Sequence, residues 1–273
     1  MLKSYKHEGV ICAEGNLLKN SKISRKIFSF IIDGLVIDTG PYSMSSAFTQ
    51  FYQSYFVDQV VLTHSHEDHS GNASWFAKQQ IPIFCHRLGV EICSEEAPYP
   101  LYRQKTWGAR KAFPAYPLSQ KVSSRQLDWE IIETPGHADD HVALFCRNKG
   151  IMFTGDLYVQ PHTKIAMDTE SIPEIMQSIK KLLTYDFEAM FCSHSGYFPH
   201  GKEQLQAKLN YLEDLSGEIM QLYLEGKSVL EIQQLLFPKH YQMIALSNGE
   251  WDTLHIVTSI INGNQEKFKK SSV

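Results

Sequence analysis

Three imidazoles and two carboxylates fall within six consecutive positions, His64-Ser65-His66-Glu67-Asp68-His69. Few folds can hold such a cluster, because every charge and ring nitrogen removed from water needs a partner. A bound cation supplies partners, and imidazole with carboxylate suits zinc, iron, manganese, nickel or cobalt. The cluster follows an apolar run, residues 57–62, which reads as a buried strand, and precedes residues 72–79, which read as a helix. The candidate ligands therefore sit where a strand leaves a sheet. His64 and His66, two apart, can point the same way from an extended end. Asp68 and His69 fall on the following turn and can face a second cation. Glu67, inside the cluster, reads as an exposed residue.

Three later segments have the same character. Thr134-Pro135-Gly136-His137 follows the apolar run Trp129 to Ile132, Thr154-Gly155-Asp156 follows Ile151 to Phe153, and Ser193-His194-Ser195-Gly196 follows Ala189 to Cys192. Each is a strand whose end delivers one His or Asp, with a glycine that permits a sharp turn. If the four ends converge, His64, His66, Asp68, His69, His137, Asp156 and His194 suffice for two metals with one shared carboxylate.

In this order, H-x-H-x-D-H, T-P-G-H, G-D and S-H resemble the metallo-β-lactamase-fold hydrolases, over roughly residues 8 to 200. The resemblance implies an α/β (α+β) four-layer αββα sandwich with a two-metal site at one edge. It assigns His64, His66 and His137 to the first metal, Asp68, His69 and His194 to the second, and Asp156 to a bridge. Zinc is the first choice of metal, with manganese or iron as alternatives. The antibiotic-cleaving members place a Cys in the second site; no matching Cys occurs here, so β-lactamase activity is not expected. Two cations ~3.5–4 Å apart can lower the pKa of a bridging water towards ~7, so no side-chain nucleophile is required. Asp68 is the residue placed to orient that hydroxide. The motifs look most like the glyoxalase II branch, which implies a small-molecule ester, thioester or lactone as substrate. Alternatives are a phosphodiesterase or ribonuclease-like hydrolase and a single-iron persulfide dioxygenase-like enzyme.

Net charge is -4 and pI about 6.3, so no global field draws nucleic acid or an anionic membrane. Nor is there a Lys/Arg-rich arm of the kind that grips RNA. Five widely spaced cysteines read as reduced core thiols of a cytoplasmic protein, and neither a secretory h-region nor a membrane span is evident. The oligomeric state is not encoded in any pattern.

Asp33-Gly34 signals a hairpin between two apolar strands, residues 26–38, and Asn148-Lys149-Gly150 signals another. Ser171 with Glu174, Ser228 with Glu231, and Ser247 with Glu250 read as helix starts. From residue 202 the pattern is helical only, with Leu205, Leu209, Leu212 and Ile219 on one face. The expected division is a catalytic domain over 1–201 and a helical appendage over 202–273.

Five further residues carry two readings each. Tyr158 could donate to a developing oxyanion or pack on the sheet. Trp251 and His255, placed on the last helix, could reach over the site or be structural. Asp38 could orient a metal-bound His or close a turn with Gly40. His141 could support the ligands or start a strand. The segment 97–120, with Pro98, Pro100, Pro114 and Pro117, five aromatics, Arg103, Lys105, Arg110 and Lys111 and no acid, reads as a basic, aromatic lid that would draw an anionic substrate or as a packed surface loop.

Overall fold

The computed structural model describes residues 1–19 and 22–271. The chain forms two compact units. The first comprises Met1–Glu133, Asp139–Val159 and Asp186–Lys202; the second comprises Thr134–Ala138, Gln160–Tyr185 and Glu203–Val273. The second unit thus takes in two stretches from before residue 202, besides the expected helical region.

The first unit holds two sheets. Seven strands lie in chain order in one: β1 (Leu2–His7), β2 (Val10–Lys19), β3 (Lys22–Ile32), β4 (Leu35–Ile37), β5 (Gln59–Val61), β6 (Ile83–Cys85) and β7 (Tyr116–Pro117). Pairing is antiparallel from β1 to β4 and parallel from β4 to β7. Between β3 and β4 the chain reverses over Asp33 (φ 52°) and Gly34 (φ 80°), the left-handed pair that a two-residue hairpin needs. The other sheet contains β8 (Lys121–Ser123), β9 (Asp128–Glu133), β10 (Val142–Cys146), β11 (Ile151–Phe153), and, after β12 of the second unit (Ala166–Met167), β13 (Ala189–Cys192) and β14 (Gly196–Phe198). Its order is β14-β13-β11-β10-β9-β8, with β11 and β13 parallel.

Strand β3 shows why these layers form. Phe28, Phe30 and Ile32 alternate with Ile27 and Ile31, and all five are buried. The first set packs between the sheets with Trp129, Leu144, Phe153 and Phe191. The second set faces α1 (Ser45–Tyr52), α3 (Ala73–Lys78) and α4 (Arg87–Ser94), through Phe48, Phe76 and Cys93. Helix, sheet and sheet are therefore successive layers of this unit. Two short helices complete it: α2 (Glu67–Ser70) and α5 (Leu101–Trp107). All five cysteines are buried free thiols.

The second unit contains α6 (Ile172–Leu183), α7 (Gly201–Leu224, from Glu203), α8 (Val229–Leu236), α9 (Gln242–Leu246) and α10 (Thr253–Ser271). Leu205, Leu209, Leu212 and Ile219 are all buried, as their spacing requires. Ser228 and Glu231 form a full capping box on α8, and α10 packs on α8 and α6. The region is not purely helical, since β15 (Trp251–Asp252) pairs antiparallel with β12. Trp251 is thus a strand residue opposite Met167 rather than part of the last helix. Asp252 Oδ1 accepts from Leu254 N at 3.1 Å, and α10 starts at Thr253, five residues later than a cap at Ser247 would start it. Among the described residues no helix is long and apolar enough to cross a membrane.

Candidate metal centre

Strand β5 leads into Thr63, whose backbone N–H and hydroxyl both donate to the carboxylate of Asp38 at 2.8–3.0 Å. Asp38 follows β4 with φ 56° and is fully buried. It also accepts from Ser193 Oγ at 2.9 Å and from His69 Nδ1 at 2.8 Å. One carboxylate thereby ties together the ends of β4, β5 and β13. Of its two sequence readings, the orienting one describes this geometry. Because Asp38 accepts the hydrogen bond from His69 Nδ1–H, Nε2 is the nitrogen left to face a ligand.

Helix α2 begins after His66, whose carbonyl accepts from Ser70 N at 2.9 Å. This single turn presents Asp68 and His69 together. Gly71 ends it, where any Cβ would lie 2.4 Å from Tyr42 N. From β13, His194 donates Nδ1 to the Lys26 carbonyl at 2.7 Å, which again leaves Nε2 facing inward. Asp156 follows β11, and its backbone N–H donates to His141 Nε2 at 3.1 Å. His141 therefore fixes the Asp156 turn as well as preceding β10. Gly155 must be glycine here, with φ 49° and a Cβ position 2.5 Å from that same nitrogen.

The result within the first unit is a group of four. Ligand atoms of Asp68, His69, Asp156 and His194 all lie within 4.8 Å of one another. His194 Nε2 is 3.0 Å from Asp156 Oδ2 and 3.3 Å from Asp68 Oδ2. His69 Nε2 is 3.3 Å from Asp156 Oδ1 and 3.7 Å from Asp68 Oδ2. It is buried and makes no hydrogen bond. His64 and His66 aim ring nitrogens at each other at 3.0 Å, Nε2 to Nδ1, and Thr63 Oγ1 steadies the far side of His64 at 3.1 Å. His137 belongs to the second unit, where its Nδ1 donates to Glu170 Oε1 at 2.6 Å. That carboxylate fixes the tautomer and presents Nε2, as partners of metal-ligating imidazoles do.

Electrostatics tie the four side chains to one another. Burial opposes ionisation of Asp68 and Asp156, yet His69 and His194 outweigh it and hold both carboxyls well below the usual carboxylate range. Burial likewise opposes charge on the two imidazoles, yet Asp156 and Asp68 raise both well above the ordinary imidazole value. Two ring nitrogens and two carboxylates on a common centre, one nitrogen without a hydrogen bond, fit a divalent transition metal.

A pH dependence follows. In metal-free protein the raised imidazoles contribute stability below their unfolded pKa of ~6.5, and that contribution is lost as pH rises through the raised folded values. The depressed carboxyls contribute above ~3.9, and lose it as pH falls through the folded values. Binding a divalent cation should therefore release protons from His69 and His194 and tighten as pH rises. Calorimetry in buffers of different ionisation enthalpy measures this directly; a binding enthalpy independent of buffer would contradict it.

Sequence reasoning missed the supports. Glu67 is fully buried, not exposed, and Arg103 grips its carboxylate from Nε and Nη2, both at 2.7 Å. Arg103 lies over the Tyr99 ring at 4.6 Å, and Tyr99 donates to the Ser65 carbonyl at 3.1 Å. Ser65 N donates to Asp140 Oδ2 at 2.8 Å. The 97–120 segment therefore lies on the His64–His69 motif, with α5 formed inside it despite the flanking prolines. The absence of acids in that segment was the available clue to an acidic partner elsewhere. Asp140 and Glu170 carried no motif.

The three expected substrate contacts fall in different settings. Tyr158 is 2% exposed and packs edge-on to Phe198 at 5.2 Å, the packed alternative of its two readings. His255 donates Nε2 to the Gly249 carbonyl at 2.7 Å. It also lines a polar cleft of about 530 Å³ in the second unit, together with Asp168, Glu170, Ser259 and Asn262. Trp251 is half-buried on β15.

Comparison with known proteins fits this arrangement. The metallo-beta-lactamase superfamily profile matches residues 27–194, more than half of the chain, and the chain belongs to that superfamily. A probable metallo-hydrolase of Bacillus subtilis, YqjP, is 24% identical over 257 residues, covering 78% of this chain and 80% of its own. Another from the same organism, YybB, is 33% identical over 101 residues, 37% of this chain; the match spans 45% of YybB, less than half its length. A hydroxyacylglutathione hydrolase of Idiomarina loihiensis is 23% identical over 192 residues, 68% of this chain and 64% of its own. The fold matches a metallo-beta-lactamase family protein from Thermus thermophilus with TM-score 0.69 at 15% identity, over 95% of this chain and 94% of that one.

Proposed function

We propose that the chain is a hydrolase that holds two divalent transition metals, zinc foremost, and cleaves a small-molecule ester, thioester or lactone. The observation that carries this reading is the buried convergence of Asp68, His69, Asp156 and His194, with His69 Nε2 left without a hydrogen bond. In this reading Asp68, His69 and His194 would hold one cation, His64, His66 and His137 would hold the other, and Asp156 would serve both. When bound, the cations supply Lewis acidity and bring the pKa of a coordinated water towards ~7.

The chain's own groups then have distinct tasks. Asp38, Glu170 and the Lys26 carbonyl hold His69, His137 and His194 in the tautomers that expose a ligand nitrogen. Asp68, an ionised acceptor, orients the attacking water and takes its proton. Burial keeps competing water away from these groups and strengthens each interaction. His255 is the substrate contact we retain, because it shares a cleft with Glu170, the partner of His137. Tyr158 is set aside, since its ring is enclosed. The thioester class is supported by the likeness to a hydroxyacylglutathione hydrolase. Net charge of -4 and the lack of a basic arm favour a small molecule over nucleic acid.

The test is elemental analysis of protein purified without added metal, followed by a panel of ester, thioester, lactone and phosphodiester substrates. The expected outcome is two transition metals per chain and turnover confined to the carboxylic esters, thioesters or lactones. One iron per chain with oxygen uptake would replace the hydrolase reading with a dioxygenase one.

A further inference from the structure

Asp38 fixes the His69 ring, and the His64–His66 side of the motif has a further carboxylate of its own. Asp140 lies two residues before β10 and is 4% exposed. Its Oδ2 accepts from the backbone N–H of Ser65 at 2.8 Å. Val142, the first residue of β10, donates its N–H to the Thr63 carbonyl at 2.7 Å. Residues 63 and 65 are thus tied to residues 142 and 140 by two hydrogen bonds of opposite sense. The peptide on the other side of Ser65 is held as well. Its carbonyl accepts from Tyr99 Oη at 3.1 Å and from Ser70 Oγ at 2.8 Å. Peptide planes are rigid, so fixing both of them sets the two backbone torsions of Ser65 between them. Those torsions decide how the flanking side chains stand to one another. The His64 and His66 rings meet at 74°, with ring nitrogens 3.0 Å apart.

Asp140 also accounts for a glycine. Gly89 falls inside α4, where glycine is a poorer helix former than alanine. A Cβ there would lie 2.7 Å from Asp140 Oδ2, the same oxygen that serves Ser65. The helix leaves room for the carboxylate at this one point.

We propose that Asp140 is a positioning residue that sets the pairing of His64 and His66 through the Ser65 peptide, and that Gly89 is the gap that seats its carboxylate. This rests on the two-metal reading for what the imidazole pair holds, and adds the residue outside the ligand set that governs that half. Groups that hold ligand residues in place carry much of a site's geometry. Asp140→Ala takes the acceptor from the Ser65 N–H, in a segment where Ser65 itself is 4% exposed. Asp140→Asn keeps an oxygen that can still accept. Gly89→Ala touches neither histidine and displaces the carboxylate by a methyl group.

The alternative is that Asp140 merely holds the chain together here, and these three variants separate the two. The first readout needs neither metal nor turnover: the ring nitrogen NMR signals of the histidines in zinc-free protein, assigned with single His→Gln variants. The expected result is that His64 and His66 shift in Asp140→Ala, shift less in Gly89→Ala and stay near wild type in Asp140→Asn, while His69 and His194 hold their positions in all three. The second readout is competition with a chromophoric chelator for zinc alone. One of two equivalents should bind roughly 10- to 100-fold more weakly in Asp140→Ala, with the other unchanged and most of the loss restored in Asp140→Asn.

Signals of all four histidines moving together, with both equivalents weakened alike, would overturn the proposal in favour of the general structural role. His64 and His66 unmoved in Asp140→Ala overturns it whatever the zinc content. Should Asp140→Ala not fold, Gly89→Ala decides by the same two readouts. A wild type that takes up a single zinc, with His64 and His66 still moving selectively, would sink the two-metal reading and leave the positioning role standing.

Discussion

Arg103→Met should destabilise the protein by about 3–5 kcal/mol at neutral pH, the cost of stranding one member of a buried ion pair. Glu67 has no exposed side-chain surface, and Arg103 has 12%. Both contacts between them are 2.7 Å, short enough for a charge-assisted pair. The pair itself need not be strongly stabilising, because desolvation of two charges offsets much of their attraction. Breaking it is another matter. Burial already raises the Glu67 carboxyl above its ordinary pKa, with Asp68 adding to that and Arg103 opposing it. Without Arg103 the folded value climbs further. A carboxyl with a raised folded pKa favours the folded state as pH falls, so the loss in Arg103→Met should be largest at neutral pH and ease on acidification. Urea unfolding of the single variant, of Glu67→Gln and of the double variant measures this. The double variant should recover much of the loss, since neither charge is then left alone. A single-variant cost under about 1 kcal/mol would show that Glu67 is reached by water.

This pair also shows where sequence ran out. The candidate ligands could be picked out because metal chemistry would fix both their type and their place: His, His, Asp and His at the ends of short apolar runs. The strands behind them, β5, β9, β11 and β13, were legible as short apolar runs; β11 and β13 are buried throughout, while β5 and β9 bury Val60, Val61, Trp129 and Ile132. The hairpin at Asp33-Gly34 and the capped start of α8 follow local rules that need no tertiary context. What lay hidden were pairings between distant residues: Glu67 with Arg103, Asp140 with Ser65, Glu170 with His137. Each joins an ordinary polar residue to a partner 33–75 positions away. Nothing local marks such a residue as buried. The wrong placement of Trp251 has a related cause: β15 exists only because β12 pairs with it, and two residues carry no period of their own. The division into units was obscured in the same way, since α6 is continuous in sequence with strands of the first unit but belongs to the second.

The substitution with the largest expected effect on activity is Asp68→Ala. Turnover should fall by on the order of 10²–10⁴-fold, the range for losing a positioned proton acceptor. Folding of the metal-free protein should suffer far less. Asp68 attracts His69 and His194, but it also repels Asp156, and its removal relieves that repulsion while it forfeits the attraction. Asp156 stays 3.0 Å from His194 and 3.3 Å from His69, so neither imidazole is abandoned. Two roles are combined in Asp68, and Asp68→Asn separates them. An amide keeps a ligand oxygen but cannot take a proton. If Asp68→Asn retains both metals by elemental analysis and still loses turnover, its proton acceptance is what matters. If it loses one metal, ligation is the larger part. Near wild-type turnover with full metal content in either variant would remove Asp68 from the reaction, and the water would then have to be oriented by Asp156, the other carboxylate within reach of both rings.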